Sequence, residues 1–158
     1  LVAIVIIASA AFPYLSVRFS NLAAGASTLA EATTKARTAA TLDPTSVLPF
    51  AVRADAHRAA AAQAPVGSTE RFRQLDLAAT AWEEALEREP GSWVYQYQAA
   101  AALLDARDAA LAAGSGSTEE LANQARIYLA ETRRLNPLSS QVEALERILG
   151  TGHTTGGD

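Results

Sequence analysis

The stretch that decides the fold is AATAWEEALEREP, residues 78–90. Within it, Trp82 follows small Ala78 by four residues, small Ala85 comes three residues later, and Pro90 closes the stretch. Spacings of three and four place these first three side chains on one face of a helix. Small residues let two helices approach closely, the indole fills the gap between helix pairs, and proline forces the chain to turn. The pattern therefore predicts one member of a helix pair, ending at Pro90.

Prolines recur along the chain at nearly equal intervals. Pro44, Pro90 and Pro137 are separated by 46 and 47 residues, and each closes an Ala-rich amphipathic stretch. The spacing of residues 78–90 is kept in weaker form before the other two prolines, by Ala125, Leu129, Thr132 and Pro137 and by Ala32, Ala36, Ala39 and Pro44. Neither helix of such a pair can bury its apolar face alone, so we expect the pairs to stack around one continuous core.

The repeated unit resembles the tetratricopeptide repeat, whose second helix carries alanine, a bulky aromatic residue, alanine and proline. The outer units depart from that pattern, because Leu129 and Ala36 stand where the aromatic residue belongs. The aromatic and small places of the first helix are taken by Phe50 and Ala54 and by Gln96 and Ala100. The unit is also longer than the usual 34 residues. The resemblance covers residues 29–149 and implies an all-α fold in which antiparallel helix pairs stack as a short α-solenoid.

Turn signals divide the chain after Arg18 into helices. We expect the first at residues 18–42 with a break near Gly25, and the others at 46–63, 70–89, 93–113, 118–135 and 140–149. The repeat domain, residues 19–149, would then contain about six helices. Serine side chains are placed to cap several of these helices, namely Ser46, Ser92 and, in a capping box with Glu120, Ser117. Gly150 is expected to end the last helix, which leaves residues 150–158 as a disordered polar tail.

Residues 1–18 form an apolar amino-terminal segment. The 17 residues before Arg18 carry no charge and would span about 25 Å as a helix, slightly short of a hydrocarbon core of about 30 Å. The start at Leu1 rather than Met indicates a fragment or a processed product, so we expect a transmembrane helix completed by upstream residues, with Tyr14 at the interface. Two alternatives stay open, a signal peptide cleaved at Ala8-Ser9-Ala10 and a buried helix of a soluble protein.

Composition limits the classes of function. The chain has 158 residues, 37 of them Ala, and a net charge of −4 with no basic run longer than Arg133-Arg134, so we expect no nucleic-acid partner. The absence of Cys excludes thiolate metal sites and cysteine nucleophiles. His57 has no possible ligand three or four residues away, and Glu83 and Glu84 point about 100° apart. We expect all three on solvated helix faces, and therefore no metal, no cofactor and no catalysis by this chain.

The densest aromatic cluster is Trp93, Tyr95 and Tyr97. Trp93 and Tyr97 share a helix face, which favours packing between helices, whereas Tyr95 points elsewhere and is the better candidate for exposure. Exposed Tyr and Trp dominate binding hot spots. These three residues are therefore the candidate contacts for a protein partner.

The layout of the chain has a second resemblance. A hydrophobic helix that leaves through Tyr14 and Arg18 into Ala-rich repeats with the stops LDP, EPGSW and RLNP is similar to the carboxy-terminal end of bacterial O-antigen-ligase-like membrane proteins. In that family the multi-helix membrane region is the glycan polymerase or ligase. The resemblance implies that this chain is the last membrane helix with its repeats, and that the chemistry lies upstream of Leu1.

The sequence thus predicts a membrane-anchored helical-repeat domain for protein–protein interaction or scaffolding. The resemblance to O-antigen-ligase-like proteins implies a bacterial cell membrane, and the positive charge of Arg18 after the apolar run favours its cytoplasmic face for the repeats. The first alternative is the non-catalytic carboxy-terminal portion of an O-antigen-ligase-like glycosyltransferase. A further alternative is a secreted, soluble substrate-binding helical domain.

Overall fold

The computed structural model describes residues 2–116 and 118–151, and within them the chain is all-α, as predicted. These residues form seven helices and no strand: α1 (Val2–Ala24), α2 (Leu29–Leu42), α3 (Leu48–Gln63), α4 (Thr69–Leu86), α5 (Trp93–Ala112), α6 (Thr118–Leu135) and α7 (Ser140–Thr151). The expected break near Gly25 is confirmed, since α1 ends at Ala24. Six helices, α2 to α7, lie within the expected repeat region.

Consecutive helices pack against each other along the whole chain. The connections between them are four to six residues long, which makes neighbouring helices antiparallel. Connections therefore alternate between two edges of the array. We call the edge formed by residues 43–47, 87–92 and 136–139 the proline edge, because each of these connections contains one of the periodic prolines. The other connections, at residues 25–28, 64–68 and 113–116, form the opposite edge.

Specific contacts join the connections within each edge. On the proline edge, Arg88 Nε donates a hydrogen bond to the carbonyl oxygen of Pro44 over 2.9 Å, and the Arg88 guanidinium lies 3.7 Å from the centre of the Phe50 ring. On the opposite edge, Gly67 takes φ +77°, and a Cβ there would lie 3.1 Å from the carbonyl oxygen of Ala112. Both the positive φ and the close approach favour glycine at this turn.

The core is built mostly from alanine, and Trp82 is its largest side chain. Ala78 and Ala85 are fully buried on α4 and flank Trp82, which is 5% exposed. The predicted burial of Trp82 is confirmed, and its ring stacks on Tyr95 of α5 with centroids 5.8 Å apart. The corresponding small and bulky positions of the other units are buried as well, namely Ala125, Leu129, Thr132, Ala32, Ala36 and Ala39. The three periodic prolines are exposed in the turns.

Several predicted helix ends and caps need correction. α4 ends at Leu86, not Glu89, because Glu87 and Arg88 form a turn ahead of Pro90, and the residue before a proline avoids helical geometry. Ser46 does not cap α3, whose cap residue Val47 offers no side-chain hydrogen bond. Instead, Oδ1 of Asp43 accepts hydrogen bonds from the amide and hydroxyl of Thr45 and stabilises the turn.

The remaining caps and the carboxy-terminal end also differ from expectation. Ser92 occupies the cap position of α5 without a side-chain hydrogen bond, and Ser117 lies outside the described residues. Helix α7 continues through Gly150 to Thr151, so the helix end was placed too early, and residues 152–158 of the expected tail lie outside the described part.

The predicted membrane segment, residues 1–18, falls largely on residues whose side chains the structure does not describe. The backbone of residues 2–24 forms one helix that contains Pro13 and crosses the expected domain boundary at residues 18 and 19 without a break. Within the part of the chain that the structure describes, no helix has the length and apolar character needed to span a bilayer. The transmembrane assignment therefore stays a prediction.

Replacing Trp82 by alanine should destabilise the fold by about 3–5 kcal/mol, because it removes the largest side chain of the core. Urea denaturation followed by circular dichroism measures the loss. The matched control is Trp93→Ala, since Trp93 is half-buried and outside the core. A loss for Trp93→Ala as large as that for Trp82→Ala would contradict this account of the core.

Candidate partner-binding groove

The aromatic side chains at the start of α5, which were predicted to contact a partner, are only partly exposed to solvent. Tyr95 is not the exposed member of the cluster, because it stacks on Trp82 and packs against the core. Its helix face continues through Ala99, Ala102 and Ala106, all fully buried, and an aromatic spacing alone could not reveal that alanine face. Trp93 and Tyr97 are half-buried and do not belong to the core cluster. The predicted exposure of Tyr95 is therefore wrong, and all three aromatic residues are half-buried.

A groove of about 360 Å³ lies between α3 and α5, with α4 as its floor. Helices α3 and α5 are second neighbours in the array, and both pack directly on α4. The groove is lined by small side chains, four charged ones and the turn that carries Gly67: Arg58, Ala61, Ala62, Val66, Gly67, Arg71, Leu75, Asp105, Asp108, Ala109 and Ala112. Methyl-sized walls leave room for a polypeptide backbone to approach closely.

Arg58 bridges the groove from α3 to α5. Its Nη2 lies 3.2 Å from Asp105 Oδ2, and its Nη1 donates to Gln98 Oε1 over 3.2 Å. The two charged side chains remain 38% and 48% exposed, so the pair faces solvent along the groove. Exposed ion pairs of this kind contribute about 0–1 kcal/mol, so another charged group can compete for either member at little cost.

The carboxylate of Asp105 is poised to accept such a group. Burial against the groove wall raises the pKa of Asp105, and the charges of Arg58 and Arg71 only partly oppose this effect. Asp108, one turn further on, adds a like charge that also raises that pKa. A cationic group or hydrogen-bond donor that enters the groove would therefore stabilise the ionised carboxylate of Asp105.

A second concave region of about 600 Å³ lies between the α1–α2 turn and α3. Its walls are mostly alanine, and Asp55 supplies its charge. It lacks the convergence of opposite charges from several helices that marks the α3–α5 groove. We therefore take the α3–α5 groove as the candidate site.

His57 and Glu83 are not on solvated faces, contrary to expectation. His57 is 8% exposed on α3, and its Nδ1 lies 2.7 Å from Oε1 of Gln74 on α4. Because the amide nitrogen of Gln74 donates to Glu70, Gln74 presents its oxygen, and Nδ1 of His57 must carry the proton. Glu83 is half-buried and accepts hydrogen bonds from Tyr128 and Gln124 of α6.

The charged neighbours of Glu83 also serve interhelical packing. Glu84 pairs with Arg53 of α3 over 2.6 Å, so the two adjacent glutamates contact different helices, α6 and α3. Burial raises the pKa of Glu83, and burial together with the Glu83 charge raises the pKa of Tyr128 to about 12. Tyr128 therefore keeps, at neutral pH, the proton that it donates to Glu83.

Comparisons with known proteins found no match to the chain among family models, curated proteins or solved structures. The described residues also contain no group of three His, Cys, Asp or Glu side chains arranged to hold a metal ion. The resemblances to tetratricopeptide repeats and to O-antigen-ligase-like proteins therefore rest on the sequence spacings alone.

His57 should make the fold sensitive to acid. Burial lowers the pKa of His57 from its ordinary value of 6.5. The bond to Gln74 opposes this shift, and the charges of Arg53 on the same helix, Arg73 on α4 and Arg37 on α2 lower the pKa further. The unfolded chain therefore binds the proton first, and stability is lost as the pH falls from about 6.5 through the lowered value.

Unfolding free energies measured by urea denaturation between about pH 7.5 and 5 should reveal this slope. The slope should flatten in His57→Gln, whose amide can still donate toward Gln74. His153→Gln removes the other imidazole of the chain and is the matched control that should keep the slope. An unchanged slope in His57→Gln would show that another group is responsible.

Exchanging the groove charges should leave stability nearly intact. The double variant Arg58→Asp with Asp105→Arg keeps an opposite-charge pair across the groove, so its unfolding free energy should change by less than about 1 kcal/mol. The single variant Arg58→Asp places two carboxylates together and should be less stable than the double variant. If both variants lose the same stability in urea denaturation, the bridge does not couple α3 to α5.

Proposed function

We propose that the chain is a membrane-anchored helical-repeat module that holds a segment of a protein partner in the α3–α5 groove. The single observation that carries the proposal is the groove itself, where small walls and an exposed Arg58–Asp105 bridge meet. The pair can exchange its internal partner for an external one at little cost. In this proposal the chain performs no catalysis and binds neither metal, cofactor nor nucleic acid.

The length of α1 supports an anchor at its amino-terminal end. Helix α1 has 23 residues, whereas its antiparallel partner α2 has 14. Since the two helices meet through the short connection 25–28, α2 reaches back only to about residue 11 of α1. The remaining backbone, residues 2–10, extends about 14 Å further at 1.5 Å per residue. That segment is uncharged in sequence, as a membrane-entering helix requires.

A second candidate function is the non-catalytic carboxy-terminal portion of an O-antigen-ligase-like membrane glycosyltransferase. The observation that favours it is the unbroken backbone of α1, which would fix the repeats rigidly to a last membrane helix. Reading the gene upstream of Leu1 separates the candidates. Many further hydrophobic segments and a large loop favour the enzyme, whereas a short basic start favours an anchored scaffold on the cytoplasmic face of a bacterial membrane.

Site-specific photo-crosslinking in the host cell tests the groove. A photoreactive residue at Ala112, an exposed position on the groove wall, should yield an adduct with a partner protein. The same residue at Thr80, exposed on a different face of α4, is the matched control and should not. The adduct at position 112 should weaken in the Arg58→Asp, Asp105→Arg background, which keeps the fold but inverts the charges.

Two outcomes would contradict the proposal. Equal adducts from positions 112 and 80 would show that the partner protein contacts the chain without a preference for the α3–α5 groove. An adduct at position 112 that survives the charge exchange unchanged would show that the Arg58–Asp105 bridge does not take part in recognition.

A further inference from the structure

The proline edge and the projecting end of α1 lie on the same side of the molecule. Helix α1 runs from its amino-terminal end toward the connection 25–28, which belongs to the opposite edge. Its other end therefore leaves the array beside the connections 43–47, 87–92 and 136–139. The bond from Arg88 to the Pro44 carbonyl shows that the first two of these connections are adjacent in space.

Apolar and aromatic side chains are exposed on this side. Leu138, in the third proline connection, is 93% exposed, the highest value among the large hydrophobic residues. On α1, Phe12 and Tyr14 are 49% and 66% exposed at the level where α2 ends. Trp93 lies half-buried at the first residue of α5. Aromatic residues with one polar atom favour the boundary between water and lipid.

Carboxylates lie at the helix ends of both edges. On the opposite edge, each of the helices that begin there carries glutamate in its first turn: Glu31 in α2, Glu70 in α4, and Glu119 and Glu120 in α6. On the proline edge, α3 and α5 begin without an acidic residue in the first turn, whereas α7 carries Glu143 there. Lipid headgroup phosphates repel carboxylates on either edge, so the position of α1 and the exposed apolar side chains decide which edge contacts lipid.

The proline edge is net acidic. Its connections and the last turns that lead into them contain three bases and five acids: Arg88, Arg133, Arg134, Asp43, Glu83, Glu84, Glu87 and Glu89. Attraction to anionic lipid is therefore weak here, and contact depends on the apolar and aromatic side chains. A zwitterionic headgroup layer fits such a surface better than a strongly anionic one.

We infer that the proline edge rests on the lipid headgroup layer, with Leu138 and Phe12 against it and the opposite edge held away from the bilayer. The inference rests on the proposed anchoring through α1. The helices would then stand upright, with the opposite edge about 27 Å from the membrane, the length of the 18-residue α4. The α3–α5 groove would run away from the surface and remain open to a partner.

Single-cysteine labelling tests this orientation directly, because the chain contains no native cysteine. Leu138→Cys labels the proline edge, and Val66→Cys, at a residue 82% exposed on the opposite edge, is the matched control. Each variant of the full chain carries a fluorophore and is mixed with phosphatidylcholine vesicles that contain lipid with a nitroxide on the headgroup. Vesicles with added phosphatidylglycerol measure the contribution of lipid charge.

The expected result is vesicle association of both variants, with loss of most of the emission at position 138 and little loss at position 66. Added phosphatidylglycerol should not increase the quenching at position 138. Association with equal quenching at both positions, or with none at position 138, would overturn the orientation and leave the anchor intact. Failure of both variants to associate with vesicles would instead overturn the anchor, and the orientation with it.

Discussion

Close approach of alanine-rich helix faces is the constraint on which the rest of the structure depends. Ala54, Ala78, Ala85, Ala99 and Ala125 are all fully buried at interhelical contacts. An alanine loses no side-chain entropy on burial, but it also contributes little apolar area, so the faces stabilise the fold only when they pack densely. One gap is too wide for methyl groups alone, and the stacked rings of Trp82 and Tyr95 fill it. The Trp82–Tyr95 contact therefore helps to set the spacing between α4 and α5.

Helices α3 and α5, and likewise α4 and α6, are second neighbours with little direct contact, and long polar side chains connect them. Arg58 connects α3 with α5, while Tyr128 and Gln124 connect α6 with Glu83 of α4. These two kinds of bridge differ in burial. The α4–α6 bridge is half-buried and its groups have raised pKa values, whereas the α3–α5 bridge opens into a groove. Polar bridges between second-neighbour helices thus form a half-buried contact between α4 and α6 and a solvent-accessible contact between α3 and α5.

The helices and their order follow from residue spacing, because turn prolines and the small–large–small pattern are local signals. The position of Trp82 was predictable for the same reason. The positions of the polar side chains were not predictable. His57, Glu83 and Glu84 are titratable residues on Ala-rich helices, and only their partners show that they are buried or half-buried. Gln74 lies 17 residues from His57, and Tyr128 lies 45 residues from Glu83. The predicted exposure of Tyr95 was wrong for a similar reason, since the helix face of Tyr95 is formed by alanines and alanines are also abundant elsewhere on α5.

The candidate groove also depends on a pairing that no short-range pattern shows, as Arg58 and Asp105 are 47 residues apart. That separation is close to the repeat step of 46, so the bridge joins equivalent helices of successive units. A solenoid places such first helices side by side along one surface. Because the groove is formed by the relation between units, its charges can vary without disturbing the alanine contacts within a unit. Core packing and the groove charges therefore depend on different residues of the same helix: α3 uses Phe50 and Ala54 for the core and Arg58 for the groove.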